Sequence, residues 1–434
     1  MPYFLKPCSR VKGLLNLPGD KSISHRAVIL SSIAIGNTLI NNFSFSDDCN
    51  TTLNALEAFG IKISKKSRNC ILINGVGLFG LKEPRDAVNL NESGTSIRIL
   101  AGLLSAQQFY SKLDGDVSLR KRPMKRVVEP LKLMGANIGV VEKGKDQYPP
   151  LEIYPARLNN IKYYMSIPSA QVKSAILLAA LYARGETIIC EPVVSRDHTE
   201  RMLKYFKADI RKIGRNIHIK PSNLISQGSI NIPTDISSAA FFMVLATLSK
   251  NSCVKIKNVS LNPTRAGVVG VLKMMGADIK VVNRREKYFE PMADIVIKSS
   301  KLKAVTLEGK IIPKVIDELP ILMVAASLAK GRSVFKGVEE LRVKETDRIR
   351  SMKTNLSSMG ARISTQLKSN KEVIIIDGVK SLKGSTLRSF GDHRTAMSMI
   401  VAALCASSPS RLDDIKCISK SFPSFLSVVN NIIY

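Results

Sequence analysis

Hydrophobic and polar positions alternate along this chain in one short pattern that returns five times. It reads Leu56-Glu-Ala-Phe-Gly60-Ile-Lys-Ile63, then Leu131-Lys-Leu-Met-Gly135-Ala-Asn-Ile138 and Leu203-Lys-Tyr-Phe-Lys207-Ala-Asp-Ile210, then Leu272-Lys-Met-Met-Gly276-Ala-Asp-Ile279 and Leu356-Ser-Ser-Met-Gly360-Ala-Arg-Ile363. The copies start about 70–85 residues apart, as expected of one supersecondary unit used repeatedly. Glycine holds the fifth position in four copies, where a helix ending in a left-handed residue wants it, and Lys207 holds it in the third. Strand-like runs follow each copy, such as Ile61 to Ser64 and Ile71 to Asn74, or Arg362 to Thr365 and Val373 to Asp377. The pattern therefore predicts helix, stop and β-hairpin.

Between the copies lie more uniformly apolar runs: Ala27 to the Gly36-Asn37 stop, Ile97 to Leu104, Ala175 to Tyr182, Ala239 to Leu248 and Ile321 to Ala329. They predict buried helices. A weaker helical run from Phe422 to Ile433 reads as a sixth copy, completed by an N-terminal strand over Arg10 to Leu17. If so, residues 1–19 join 234–434 in one lobe and residues 20–233 form the other, with a double crossover near 19–21 and 233–236. The expected picture is two similar α/β lobes of three units each, with a ligand cleft between them.

Composition adds a charge problem. The chain has 65 Lys and Arg against 35 Asp and Glu, a net charge of +30, with 45% hydrophobic residues. Such an excess suits nucleic acid, an anionic surface or small polyanions. The lysines are dispersed, aromatics are 6% and Trp is absent, so stacking platforms for nucleic acid are few and small anions are favoured. Seven cysteines, odd in number and never in a C-x-x-C pair, argue against a disulfide framework and a zinc ribbon, and four scattered histidines lack metal-ligand spacing. The apolar runs are too short for a membrane span and no signal-peptide pattern opens the chain. The expectation is a reduced, cytoplasmic enzyme without cofactor or metal.

The cations gather where loops enter helices. Pro18-Gly19-Asp20-Lys21-Ser22-Ile23-Ser24-His25-Arg26 puts Lys21, Ser22 and Arg26 in a first helical turn, where exposed amides already attract anions and cations weaken the helix. The same theme returns at Ser93-Gly94-Thr95-Ser96-Ile97-Arg98, at Arg120-Lys121-Arg122-Pro123, at Ser169-Ala170-Gln171-Val172-Lys173-Ser174 and at Ser195-Arg196-Asp197-His198. In the second half, Asp317-Glu318-Leu319-Pro320 sets carboxylates ahead of an apolar helix, as a cap or as a general base. Arg342-Val343-Lys344-Glu345-Thr346-Asp347-Arg348 reads as helical, with Lys344 and Arg348 on one face. Gly391-Asp392-His393-Arg394 and Ser419-Lys420-Ser421 each bring a cation to a late helix.

Together, in this order, these segments resemble the 5-enolpyruvylshikimate-3-phosphate synthase family, most closely its class II branch. The resemblance covers nearly the whole chain. It implies two similar inverse α/β-barrel lobes, each of three βαβαββ-type units, with the active site in the interdomain cleft. It implies transfer of the enolpyruvyl group of phosphoenolpyruvate to the 5-hydroxyl of shikimate 3-phosphate by addition and elimination of phosphate, in a monomer with neither nucleic-acid nor membrane partner. By position, Lys21, Ser22, Arg26, Ser169, Ala170, Gln171, Arg196, Asp317 and Lys344 would hold shikimate 3-phosphate. Lys21, Gly94, Arg122, Gln171, Arg348, Arg394 and Lys420 would hold phosphoenolpyruvate. Asp317 would be the base and Glu345 the acid, with Lys21 as an alternative participant.

Two positions depart from common family patterns. Asn91-Glu92 stands where Gly-Asn is frequent, and Gly94 stands where herbicide-tolerant class II members can carry Ala. Two rivals remain in view. The sister enzyme acting on UDP-N-acetylglucosamine uses a loop cysteine, and no Cys lies between Cys70 and Cys190 here. A basic, non-catalytic nucleic-acid-binding protein is the other.

Overall fold

The computed structural model describes residues 2–368 and 371–434. The chain divides into two compact units, one made of the segment through Pro18 with Pro233–Lys287 and Pro291–Tyr434, the other of Gly19–Ile232 with Tyr288–Glu290.

The repeat is a βαβαββ unit, complete in Val88–Asn89, helix Gly94–Leu104, Ser111–Asp114, helix Lys125–Leu133, Asn137–Lys143 and Asp146–Tyr154. In its sheet the short first strand runs parallel to Ser111–Asp114, which pairs antiparallel with Asp146–Tyr154, which in turn pairs antiparallel with Asn137–Lys143. A helix between two parallel strands is the crossover such pairing requires. Among the described residues there are six sheets, three per unit; five have the full plan, one of them with a fifth strand, and the sixth has three strands.

Two copies borrow their leading strand. Lys12–Leu15 precedes helix Lys21–Ser32 in sequence but pairs in parallel with Cys253–Ser260. Ser229–Asn231 precedes helix Ile236–Leu248 but pairs in parallel with Ala34–Asn41. The sixth sheet is closed by Tyr3–Leu5, antiparallel to Ser410–Leu412. The expected strand over Arg10 to Leu17 thus leads the fourth copy instead of completing the sixth. The residue beside it, Val11, does form a lone antiparallel bridge to Ile433.

The recurring pattern has a local cause. Its Leu carbonyl accepts the N–H five residues on: Ile61 to Leu56 at 3.0 Å, Ala136 to Leu131 at 3.0 Å, Ala208 to Leu203 at 2.9 Å, Ala277 to Leu272 at 2.9 Å and Ala361 to Leu356 at 2.9 Å. This is the Schellman closure, which needs a left-handed residue at the fifth position. Gly60, Gly135, Gly276 and Gly360 have φ of 85, 97, 92 and 85°, and Lys207 adopts the same conformation at φ 69°.

The unit containing helix Lys21–Ser32 ends that helix at Ser32, so Gly36 and Asn37 lie within strand Ala34–Asn41 and not at a helix stop. Each unit is built around helices buried on every side. In one these are Ile236–Leu248, Leu319–Ser327 and His393–Leu404, which pack against one another. In the other, Gly94–Leu104 and Ala170–Ala180 approach so closely that a Cβ on Gly102 would lie 2.1 Å from the Ala175 carbonyl oxygen. Only Gly permits that contact.

Candidate active site

Most expected site residues lie at or just before helix starts, among them Lys21, Ser22 and Arg26 in helix Lys21–Ser32, Gly94 in Gly94–Leu104, Ser169 to Gln171 at Ala170–Ala180 and Arg394 in His393–Leu404, whereas Arg122 and Lys344 follow 3-10 turns and Lys420 ends one. Capping explains the local turns: Asp20 accepts from Ile23 N at 2.9 Å, Ser93 from Ser96 N at 3.2 Å, Ser169 from Val172 N at 3.4 Å and Asp392 from Arg394 N at 2.8 Å. Each cap satisfies one or two first-turn amides, and the uncapped N–H groups at such helix starts suit an anion.

In the unit of residues 19–232, Arg26 is the most constrained cation. It is buried, and its Nε donates to Thr199 Oγ1 at 2.6 Å while Nη2 donates to Ser174 Oγ at 2.8 Å and Nη1 to the Ser22 carbonyl at 2.9 Å. Burial pulls its pKa down to about 10, partly countered by the Glu200 carboxylate, with Arg196 adding repulsion. Lys21 pairs with Asp48 at 2.8 Å. Ser169 and Ala170 form the cap and first residue of helix Ala170–Ala180, both half-buried.

A second cradle lies over Gly94, the first residue of its helix. A Cβ there would stand 2.8 Å from Arg122 Nη1 and 3.2 Å from Arg98 Nη1. Gln171 joins it, accepting from Arg98 Nη1 at 2.9 Å and donating to Thr95 Oγ1 at 3.0 Å. Burial, then repulsion from Arg122 and Arg126, pulls Arg98 down to about 10. Two guanidinium groups over an open helix N-terminus suit a carboxylate or phosphate. Glu92 is half-buried at the edge of this cradle, and its carbonyl accepts from Gly94 N at 3.0 Å.

In the other unit, Asp317 is ringed by guanidinium groups. Arg348 Nη1 is 3.5 Å from its carboxylate, and Arg265 Nη1 and Arg394 Nη2 are each 3.9 Å away. Arg394 Nη1 also donates to the Asp317 carbonyl at 2.8 Å. The neighbouring Glu318 is buried and takes Arg265 at 2.8 Å, with Ser237 donating to it as well. Arg348 Nε donates to Asp392 at 2.9 Å. Burial alone would lower the Arg348 pKa, but the Asp392, Glu345 and Asp317 carboxylates outweigh it and hold the pKa above the ordinary value. Glu345 shares a 2.8 Å hydrogen bond with His393 Nδ1.

Glu345, Asp392 and His393 have potential ligand atoms within 4.8 Å of one another, so a cation is sterically conceivable. Arg348 already brings a positive charge against Asp392 and near Glu345, which makes this a guanidinium site by its chemistry.

One expectation fails in this unit. Lys344 and Arg348 do not share a helical face: a 3-10 turn ends at Val343, Lys344 is extended, and the helix begins at Arg348. The Lys344 ammonium pairs with Glu340. Lys420 is half-buried at the end of the turn Lys416–Lys420, before helix Phe425–Asn430.

Arg98, Arg265, His393, Thr199 and Ser174 were not among the expected site residues, and Glu318, expected beside Asp317 as a cap or general base, makes no side-chain cap bond and instead takes Arg265 and Ser237. Arg98 and Ser174 stood inside segments already singled out. Arg265, in Asn262-Pro263-Thr264-Arg265, carries no local signal, and only the fold brings it to Asp317.

Comparison with known proteins places the whole chain in one family. The family model for EPSP synthase (3-phosphoshikimate 1-carboxyvinyltransferase) matches residues 5–429. The 3-phosphoshikimate 1-carboxyvinyltransferase of Geotalea daltonii is 47% identical over 427 residues, covering 98% of each chain. A solved structure of EPSP synthase from Acinetobacter baumannii matches with a TM-score of 0.90 at 42% identity, over 100% of this chain and 98% of that one. The enolpyruvyl transferase NikO from Streptomyces tendae shares the fold, with a TM-score of 0.78 at 16% identity over 99% and 97% of the two chains. A family model matched over residues 5–429 and a relative 47% identical over 98% of each chain, on a fold of repeated βαβαββ-type copies, mean that the chain belongs to the EPSP synthase family.

Proposed function

We propose that this protein transfers the enolpyruvyl group of phosphoenolpyruvate to the 5-hydroxyl of shikimate 3-phosphate, releasing phosphate, as a step of aromatic amino-acid biosynthesis. Beside the full-length family match, the observation that carries this reading is the ring of three arginines around Asp317. These cations hold the carboxylate beside the starts of helices Leu319–Ser327, Arg348–Ser358 and His393–Leu404. A bound phosphoenolpyruvate would engage Arg348 and Arg394 through its own negative charges, with Asp317 beside them to take the 5-hydroxyl proton.

In this reading Arg26, Ser22, Ser169, Ala170, Gln171 and Arg196, with Lys21, hold shikimate 3-phosphate. Gly94, Arg122, Arg348, Arg394 and Lys420, with Lys21 and Gln171, hold phosphoenolpyruvate. Glu345 delivers a proton to the methylene carbon as the hydroxyl oxygen attacks the adjacent carbon. A proton then leaves the former methylene carbon, by now a methyl, as phosphate departs from its neighbour, and the restored double bond is that of an enol ether. His393, 2.8 Å from Glu345, keeps the acid in place between these two transfers. Lys344 reaches substrate only if it leaves Glu340. No metal or cofactor enters this chemistry, and the enzyme acts as a cytoplasmic monomer; among the described residues, no helix is long and apolar enough to cross a membrane.

Phosphate release from phosphoenolpyruvate tests the reading, with shikimate 3-phosphate and UDP-N-acetylglucosamine supplied separately as acceptors. Release with shikimate 3-phosphate alone is expected. Release only with the nucleotide sugar would move the chain to the sister reaction, and release with neither would overturn the enzymatic reading.

A further inference from the structure

Lys173 is wholly buried one turn into helix Ala170–Ala180, and its Nζ lies 3.1 Å from Glu191 and 2.7 Å from Glu200. The two carboxylates stand at opposite ends of one loop. Glu191 follows strand Thr187–Cys190, and Glu200 lies in the first turn of helix His198–Tyr205. Arg196 sits between them. The loop is tied further from inside, because Ser195 donates both its N–H, at 3.0 Å, and its hydroxyl, at 2.5 Å, to the same Glu191 oxygen that Lys173 holds.

The other side of the lysine is equally connected. Ser174, the next residue, receives Arg26 Nη2, and its hydroxyl is 2.6 Å from that of Thr199, the residue before Glu200 and the partner of Arg26 Nε. Pulling Lys173 and Glu200 together therefore brings together the two hydroxyls that aim Arg26. A buried ion pair is a poor source of stability, since an apolar side chain of similar volume would hold the helix as well. What a lysine paired with two carboxylates specifies, and an apolar residue does not, is where those carboxylates sit, and with them Ser195-Arg196 and Thr199.

We infer that Lys173 is a positioning residue for the acceptor half of the site, a buried strut that sets Arg26 and Arg196 without touching substrate. This rests on the reading of that half as the shikimate 3-phosphate site. Among the described residues, Gly94 and Arg122 share no hydrogen bond or ion pair with Lys173, Glu191 or Glu200, so loss of the strut should separate the two substrates kinetically.

The test is steady-state kinetics of the full chain with each substrate varied in turn, for Lys173→Met and for the milder Ser195→Ala, which keeps the lysine and removes one donor to Glu191. The KM for shikimate 3-phosphate should rise about tenfold in the first and about threefold in the second, with the KM for phosphoenolpyruvate within about twofold of wild type. If Lys173→Met does not fold, Ser195→Ala decides. Equal rises in both KM values, or a lowered melting temperature with neither KM changed, would overturn the strut. Wild-type protein that turns over phosphoenolpyruvate without needing shikimate 3-phosphate would overturn the functional reading, and the strut with it.

Discussion

Arg348 serves two carboxylates at once: its Nε is bonded to Asp392 at 2.9 Å while its Nη1 stands 3.5 Å from Asp317. The first contact is buried and fixes the guanidinium; the second is longer and leaves room for an incoming anion. Asp317 is thus presented by a cation that does not consume it. In Asp317→Asn the amide keeps the shape but cannot accept a proton, so kcat should fall about 10²–10⁴-fold with binding of both substrates little changed. Unchanged turnover in that variant would remove Asp317 as the base.

Gly94 makes a prediction about the donor substrate. An added methyl would meet Arg122 Nη1 at 2.8 Å, the far end of a flexible side chain, so the protein can accept it by moving the guanidinium. Gly94→Ala should therefore fold normally and raise the KM for phosphoenolpyruvate about three- to tenfold, with shikimate 3-phosphate unaffected. The wild-type protein, with its open Gly94 cradle, should bind glyphosate in competition with phosphoenolpyruvate. No inhibition at millimolar glyphosate, or an alanine variant with wild-type kinetics, would contradict this use of the cradle.

Acid stability should be limited by His25. It is fully buried, its Nδ1 is 2.6 Å from Thr52 Oγ1, and burial pulls its pKa down to about 3, with Asp48 opposing and Lys21 and Arg26 adding to the depression. Above the ordinary pKa of 6.5 the ring is neutral whether the chain is folded or not, and titration costs nothing. Below it the unfolded chain takes up a proton that the folded chain refuses, so stability falls as pH drops from 6.5 toward about 3, by a few kcal/mol in all. His25→Gln retains a polar side chain beside Thr52 and removes the titration. Its acid-unfolding midpoint, followed by circular dichroism, should lie about one pH unit lower; an unmoved midpoint would assign acid sensitivity elsewhere.

Lys207 is the one copy of the helix stop without glycine, and it pays for the left-handed turn with its Cβ. Because the side chain is exposed, Lys207→Gly should stabilise the protein by about 0.5–1 kcal/mol, the relief of strain less the greater freedom of an unfolded glycine. The urea midpoint should rise with the slope unchanged; a fall would mean that the lysine side chain contributes more than the strain removes.

The repeat was legible in the sequence because its cause is local: a Leu carbonyl, an amide five residues on and a left-handed residue between them lie within one eight-residue window. Even Lys207 obeyed it. The leading strands were harder to read, because Lys12–Leu15 and Ser229–Asn231 are strand-like in sequence but their partners are set by long-range pairing. The same limit applies to the site. Lys21, Gly94 and Arg122 announced themselves as cations or glycine at helix starts, whereas Arg265 became part of the Asp317 group only through the fold. Lys344 misled for a local reason, since i and i+4 spacing implies a shared face only if the intervening residues are helical, and here they are not.

The central claim is that the carbon–oxygen bond of phosphoenolpyruvate breaks and the acceptor keeps the carbon skeleton. Phosphoenolpyruvate carrying ¹⁸O in its bridging position distinguishes this directly, read by mass spectrometry after turnover with shikimate 3-phosphate. The account predicts all of the label in released phosphate and an acceptor product heavier by an unlabelled enolpyruvyl group. Label recovered in pyruvate would mean that the phosphorus–oxygen bond had broken instead, and would contradict enolpyruvyl transfer by this protein.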